Sequence, residues 1–135
     1  MTSTPSKLSI PAVFSRITAP WQPKMVACVN STTEIRIAKI QGKFIWHAHP
    51  DTDELFYIVD GGPLTLNYRE RNDDESSEKK VVLVKGEMWV VPKGVQHLPE
   101  AEEEASVMMI EQAGTVNTGN REESDRTATI EDVRS

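Results

Sequence analysis

The feature that most constrains this chain is a pair of histidines separated by one residue, His47 and His49, in the stretch GKFIWHAHPDTDELFYIVDG from Gly42 to Gly61. In a β-strand, residues i and i+2 point to the same side about 6.6–6.8 Å apart. Both imidazoles therefore project together and can converge on one ion, whereas a helix would need a spacing of three or four. Glu54 follows at the start of a second apolar run. The third histidine, His97, lies in another turn-bounded stretch, GEMWVVPKGVQH. Three imidazoles and a carboxylate suit a transition metal. An HxH pair alone on a strand is more often a pair of surface or core histidines than a metal site. The joint placement of all three histidines in two such stretches is what favours a common site. Asp53 competes with Glu54 for the fourth place. Strand parity favours Glu54 and leaves Asp53 as a turn residue or a partner to a ligand.

The rest of the chain reads as a β scaffold. MVACVN from Met25 is a strand. TEIRIAKIQ alternates, with Ile35, Ile37 and Lys39 on one face and Arg36, Ala38 and Ile40 on the other. Arg36 reads as an exposed charge or, in a bolder reading, as the anchor of an anionic substrate. Gly42 marks a bend or bulge. KFIWH, ELFYIV, LTLNYRE, VVLVK, EMWVV, QHLPEA and ASVMMIEQ are the further strands. Gly61-Gly62-Pro63, Lys85-Gly86, Pro92-Lys93-Gly94 and the acidic Glu102–Glu104 are the turns between them. RNDDESSEKK, residues 71–80, has no apolar residue and reads as a solvated, mobile hairpin loop. Many short strands with no amphipathic helix predict an all-β sandwich or barrel.

Both parities of ELFYIVD are apolar, so one face lines an interior and the other needs a second layer or a subunit. That pattern predicts a homodimer. The division is an N-terminal arm over 1–23, a barrel over 24–113 and a polar tail over 114–135. Pro5, Pro11, Pro20 and Pro23 exclude a long helix in the arm. Ile10, Val13, Phe14 and Ile17 pack as a short turn or as an arm laid across a sheet, Leu8 to Ser15 is a candidate contact with a second subunit, and Trp21 anchors the arm. Thr127 to Val133 reads as a helical turn or as chain lying loosely on the surface.

The 135 residues fit one domain. Twenty-one acidic against 15 basic residues give a net charge of −6, with no basic stripe, so nucleic acid and anionic membranes are not expected partners. Cys28 is the only cysteine, which rules out an intrachain disulfide and fits a reducing, cytoplasmic setting; it reads as a small buried hydrophobe. No apolar run approaches the roughly 20 residues of a membrane helix. No phosphate-binding glycine loop or GxSxG is present.

The two histidine stretches resemble the motifs of the cupin superfamily. Gly42, His47, His49, Glu54 and Gly61 match the first, with the spacer before His47 one residue short; Gly86, Pro92, Gly94 and His97 match the second, with Ala101 where asparagine is usual. WQPKMVACVN and GTVNTGN extend the likeness to small single-domain cupins of the mannose-6-phosphate-isomerase-like group, over roughly residues 21–120. The resemblance implies a cupin double-stranded β-helix, a jelly-roll barrel. It implies His47, His49, Glu54 and His97 as ligands of one divalent transition metal per chain, Fe2+, Zn2+, Ni2+ or Mn2+. Four ligands on a six-coordinate ion leave two positions for water, dioxygen or substrate.

Phe56 and Ile58 share parity with Glu54 and are expected to line the cavity, with Arg36, Met88 and Met108 as further candidates. Trp46, Tyr57, Trp89 and Met109 are alternative walls or plain core. The expected activity is that of a metal-dependent small-molecule enzyme, foremost an oxidoreductase of the oxygenase kind on a compact aromatic or polyketide-like substrate. A metal-dependent isomerase, epimerase or lyase is the alternative, and a non-catalytic binding module is the reading of a different class.

Overall fold

The computed structural model describes residues 4–120 and 127–134. After a short helix α1 (Ile10–Phe14), the strands are β1 (Lys24–Val29), β2 (Thr33–Lys43), β3 (Glu54–Gly61), β4 (Leu64–Arg69), β5 (Glu78–Leu83), β6 (Met88–Val91), β7 (His97–Gln112) and β8 (Glu131–Asp132). They share one hydrogen-bonded sheet in the order β5-β4-β7-β2-β1-β8, with β3 paired to β7 and β6 to β3. The sheet folds over a common core as a jelly roll without closing its hydrogen-bonded circuit.

Strand β7 organises the rest. It pairs with β2 along most of its length, while its other side takes first β4, from His97 to Glu100, and then β3, from Ala105 to Ile110. Glu102–Glu104, expected as a turn, lie inside this continuous strand. The turn belongs to the partner: Gly61–Pro63 passes from β3 to β4 beside them, and the Gly62 amide donates to the Glu104 carbonyl at 3.2 Å. The three glutamates are exposed on the strand.

Gly42 sits at a register shift between β2 and β7 with φ +82°, the bulge expected from the sequence. Past it the chain leaves the regular ladder. KFIWH therefore does not form the predicted strand: Lys43 ends β2 opposite Glu100, and the rest reaches β7 through the Phe44 amide and an isolated bridge between His47 and His97. Residues 71–80 also differ from expectation. Asp74 caps a 3-10 turn over Glu75–Ser77, the buried Ser77 hydroxyl donates to the Arg71 carbonyl at 3.0 Å, and Glu78 to Lys80 already belong to β5. Backbone pairing, not apolar burial, orders this hairpin.

Two apolar clusters use the two faces of β2. Ala38 and Ile40 face the interior with Phe56, Ile58, Leu64, Leu66, Val107 and Met109. Ile37 faces outward and is covered by Val13, Phe14 and Ile17 of the arm, with Val26, Val59 and Met108 alongside. The second layer that the two-sided strands demand is thus supplied in part by the chain's own N-terminal arm. Trp21 ends that arm in the interior cluster, its indole donating to the Gln41 carbonyl at 3.0 Å. Cys28 is half-buried, more open than the buried hydrophobe expected of it. The segment read as a helical turn carries β8, parallel to β1, tied by Lys24 to Glu131 at 2.7 Å. Among the described residues, no helix is long and apolar enough to cross a membrane.

If the arm is a structural layer, Phe14→Ala should destabilise the chain by about 3–5 kcal/mol, the range for a buried aromatic cut to alanine. Urea unfolding followed by tryptophan fluorescence measures it, and a loss under about 1 kcal/mol would contradict the packing role.

Candidate metal centre

Three segments meet at the site. His47 and His97 exchange both backbone hydrogen bonds, at 3.1 Å and 2.8 Å, which sets their rings 4.2 Å apart between centroids. His49 lies two residues on, its carbonyl accepting from the Gly94 amide at 2.8 Å. Glu54 opens β3 after the Pro50–Asp53 turn, opposite Val91 of β6. Asp53 points elsewhere, its carboxylate accepting from the Lys93 amide at 2.8 Å, as befits a turn residue.

The donor atoms are aimed inward. His47 Nδ1 lies 2.9 Å from the Ile45 carbonyl and His97 Nδ1 2.9 Å from the Val95 carbonyl. A carbonyl can only accept, so each Nδ1 carries the proton and each Nε2 keeps a free lone pair. Glu54 Oε1 is 3.4 Å from both His49 Nε2 and His97 Nε2, yet neither nitrogen has a hydrogen bond with good geometry, although both are buried. One ligand atom from each of the four residues falls within 4.8 Å of the others. Buried imidazole nitrogens left without partners beside a carboxylate fit a cation better than they fit each other. This group could hold a transition metal.

The electrostatics agree. Burial lowers His47 from 6.5 to about 3, and neighbouring His97 adds to the effect against the pull of Glu54. For Glu54, burial alone would raise the pKa, but contacts with His49 and His97 override it and hold the carboxyl well below its usual range. The neutral imidazole and ionised carboxylate are the forms that coordinate a metal.

A cavity of about 40 Å³ opens beside His47 and Glu54. Phe56 lines it, as expected from its parity. Ile58 is fully buried in the adjoining core and does not reach the cavity. Met88 is 57% exposed on β6, and Met108 packs under the arm on the opposite face of the sheet, so neither is a wall. Trp89 and Val91 on β6, and Met109 beside Met108, carry the inward parity instead. Trp46 lies under the Arg69 guanidinium, 4.3 Å from its ring centroid, away from the cavity.

Arg36 is 1% exposed, which contradicts the surface reading. It is not a free anchor either. Its Nε and Nη2 donate to Glu34 Oε1 at 3.0 Å and 2.8 Å, and its Nη1 lies 3.0 Å from Glu111 Oε1.

Glu111 is the site residue that sequence reasoning missed. It lines the cavity, and burial together with the charge of Glu54 pushes its pKa well above the usual carboxylate range. The signal was available: Glu111 continues the inward alternation of Ala105, Val107 and Met109. Trp21, Phe44, Pro99 and Asn117 also line the cavity. Trp21 was read only as the anchor of the arm, Phe44 as part of a strand that does not form, Pro99 sits on β7, and Asn117 lies in the polar tail.

A family model described as Cupin matches residues 13–131. The chain belongs to the cupin family. A crystal structure of a cupin-2 domain-containing protein from Shewanella frigidimarina NCIMB 400 is 36% identical, with a TM-score of 0.65, over 78% of this chain and 93% of that one. The YdbB protein of Bacillus subtilis (strain 168) is 32% identical over 63 residues, 47% of this chain and 49% of that protein, so the match spans about half of that curated relative. The hydroquinone 1,2-dioxygenase of Sphingomonas sp. TTNP3, solved with 4-hydroxybenzoate, shares the cupin fold at 18% identity and a TM-score of 0.64, over 79% of this chain and 74% of that one.

Two tests follow from the electrostatics of this cupin. In the metal-free chain the His47 ring should stay neutral at pH 5, visible in long-range 1H–15N NMR; a ring that titrates near 6.5 would contradict its burial. The sign for stability is fixed. The unfolded chain takes up this proton below 6.5 and the folded chain only near 3, so the His47 contribution is lost as pH falls across that window. Glu111, raised when folded, acts in the opposite sense, which is why the ring signal isolates His47 and a global melt does not. Separately, Arg36→Leu leaves the buried Glu111 and the half-buried Glu34 without their shared cation and should cost about 3–5 kcal/mol. Adding Glu111→Gln should recover part of that loss in a denaturation double-mutant cycle, and strict additivity would argue against the pair.

Proposed function

We propose that this cupin is a metal-dependent small-molecule enzyme, foremost an oxidoreductase of the oxygenase kind. The observation that carries the reading is the convergence of His47, His49, Glu54 and His97 donors within 4.8 Å at the edge of an apolar cavity. His47, His49, Glu54 and His97 would hold one divalent transition metal. Bound there, the ion would supply a Lewis-acid centre, and with iron also a redox centre, for a small molecule in the cavity.

The chain's own residues do the rest. Hydrogen bonds to Ile45 and Val95 orient two of the imidazoles. Trp21, Phe44, Phe56 and Met109 keep water away from the reacting end and strengthen the electrostatics inside. Glu111 can hold a proton at a carboxyl oxygen beside Glu54.

No lysine or arginine is among the residues that line the cavity, and Arg36 is engaged by two glutamates. A compact, largely apolar substrate therefore fits better than a phosphosugar. At about 40 Å³ the cavity holds little more than a water, whose share of liquid volume is about 30 Å³, while a benzene-binding cavity measures about 150 Å³. An aromatic or polyketide-like substrate thus requires a wall to yield.

Glu111 favours a second reading, a metal-dependent isomerase, epimerase or lyase, because a buried proton-holding carboxyl is what proton transfer next to a carbonyl needs.

Elemental mass spectrometry on untagged protein is the test. About one equivalent of metal is expected in the wild type and none in His49→Ala, which removes one of four donors. Retention of a full equivalent in that variant would sink the four-ligand reading. Oxygen uptake by the Fe(II)-loaded chain with a panel of phenols supports the oxidoreductase. Solvent deuterium entering a ketone substrate without oxygen uptake supports the second reading, and saturable binding with no turnover would leave a binding module.

A further inference from the structure

The HxH segment lies outside the strands, so no ladder satisfies its backbone, and yet His47, Ala48 and His49 are all buried. Buried N–H and C=O groups need partners. His97 takes both groups of His47, and Gly94 takes the His49 carbonyl. The peptide groups of Ala48, between the two imidazoles, go to the C-terminal segment. The Ala48 amide donates to Asn120 Oδ1 at 2.9 Å, and the Ala48 carbonyl accepts from the Asn120 amide at 2.9 Å.

The sequence TVNTGN around this contact is built for close approach. Gly119 has φ +56°, and a Cβ there would run into the Ala48 carbonyl oxygen and stand 3.0 Å from His49 Nδ1. Only glycine lets the segment lie this tightly on the two histidines. Thr118, with 0% exposure, fixes the segment from below, its hydroxyl 2.7 Å from that of Thr127. Asn117 Oδ1 accepts from the Ala128 amide at 3.0 Å, and the residue lines the cavity. These contacts reach from the HxH segment through residues 117–120 to residues 127–128.

We propose that Gly119 and Asn120 are positioning residues for the metal centre: they clamp the peptide between His47 and His49 and so set the direction of both imidazoles. The inference rests on the metal reading above and adds that the C-terminal segment is part of the centre, not a tail beside it. Loss of an outer contact that orients a metal ligand costs about 10–100-fold in metal affinity. Asn120→Ala removes the acceptor for the Ala48 amide. Gly119→Ala pushes the segment off the histidines. Asn120→Asp keeps an acceptor oxygen at the same place.

The test is Co(II) titration of the full metal-free chain, followed by its visible absorption, with the melting temperature of the metal-free variants measured alongside. Asn120→Ala and Gly119→Ala should bind Co(II) about 10–100-fold more weakly and with an altered d–d spectrum, Asn120→Ala should lose less in metal-free stability than in Co(II) binding, and Asn120→Asp should restore affinity and spectrum. Should Gly119→Ala fail to fold, Asn120→Ala decides alone. Wild-type affinity and spectrum in Asn120→Ala overturn the proposal while leaving the metal reading intact. Weaker binding matched by an equal loss of metal-free stability, without rescue by Asn120→Asp, also overturns it, since that is general support of the fold. A wild-type chain that binds no Co(II), Zn(II) or Fe(II) removes the metal reading and this inference together.

Discussion

The reciprocal backbone pair between His47 and His97 is the contact on which the site depends. Neither residue's side chain could find the other from sequence proximity. The exchange of two hydrogen bonds fixes the spacing of the two segments before any ion is present. Strand β7 makes that exchange possible, because its first residue is His97 and its remaining length is held by three other strands. His97 therefore hangs from the most heavily paired strand in the sheet and His47 is tied to it, so local opening of that strand end is opposed by the whole ladder.

That placement has an electrostatic consequence. The interior beside β7 contains two carboxylates, Glu54 and Glu111, and three imidazoles. Isolated buried charge is costly, and like charges at close range cannot both ionise without compensation. The chain answers with Arg36, fully buried on β2 and shared between Glu34 and Glu111. Glu54 is left ionised against the imidazoles, while Glu111 is pushed towards its neutral form. One carboxyl is thereby suited to coordination and the other to holding a proton, and the difference comes from their neighbours, since both are glutamates. Engaging Arg36 this way leaves the cavity itself without a cation.

The fold class was legible because period-two alternation marked the strands. The four donors came together through the likeness of two stretches to the cupin motifs; the i, i+2 strand geometry argued for His47 and His49 did not form, since KFIWH lies past the end of β2. The inward parity of Phe56 followed from Glu54. What failed was whatever depends on a partner strand. Glu102–Glu104 carry turn composition but sit in the middle of β7, because the turn belongs to β3 and β4. Met88 and Met108 are apolar, yet parity alone could not say which side of β6 or β7 faces inward; pairing of Met108 with Ile37 and Tyr57 puts it under the arm. Arg36 shares the parity of Ala38 and Ile40, yet alternation allowed either face to be the inner one, so an exposed charge was the first reading. Its partner Glu111 lies far along the chain, so the compensation could not be seen. Asn120 was hidden for a similar reason: its role consists of one contact with Ala48.

The walls of the cavity differ in what it costs to move them. Phe56 and Ile40 are buried in the main cluster, so displacing either would open voids in a close-packed interior. Trp21 is held by its indole hydrogen bond to Gln41 and by its backbone amide to Lys39. Phe44 is different. It is only half-buried, it lies just past the bulge at Gly42, and its ring is fixed mainly by stacking on Trp21 at 4.8 Å and by the edge of His47 at 5.1 Å. Aromatic contacts of this kind contribute about 0.5–1.5 kcal/mol each beyond area burial. Rotation of that one side chain is thus the least costly way to enlarge a cavity of about 40 Å³. The same residue touches the His47 ring, so the side chain that must yield to a ring-sized ligand is also one that packs a donor of the metal centre.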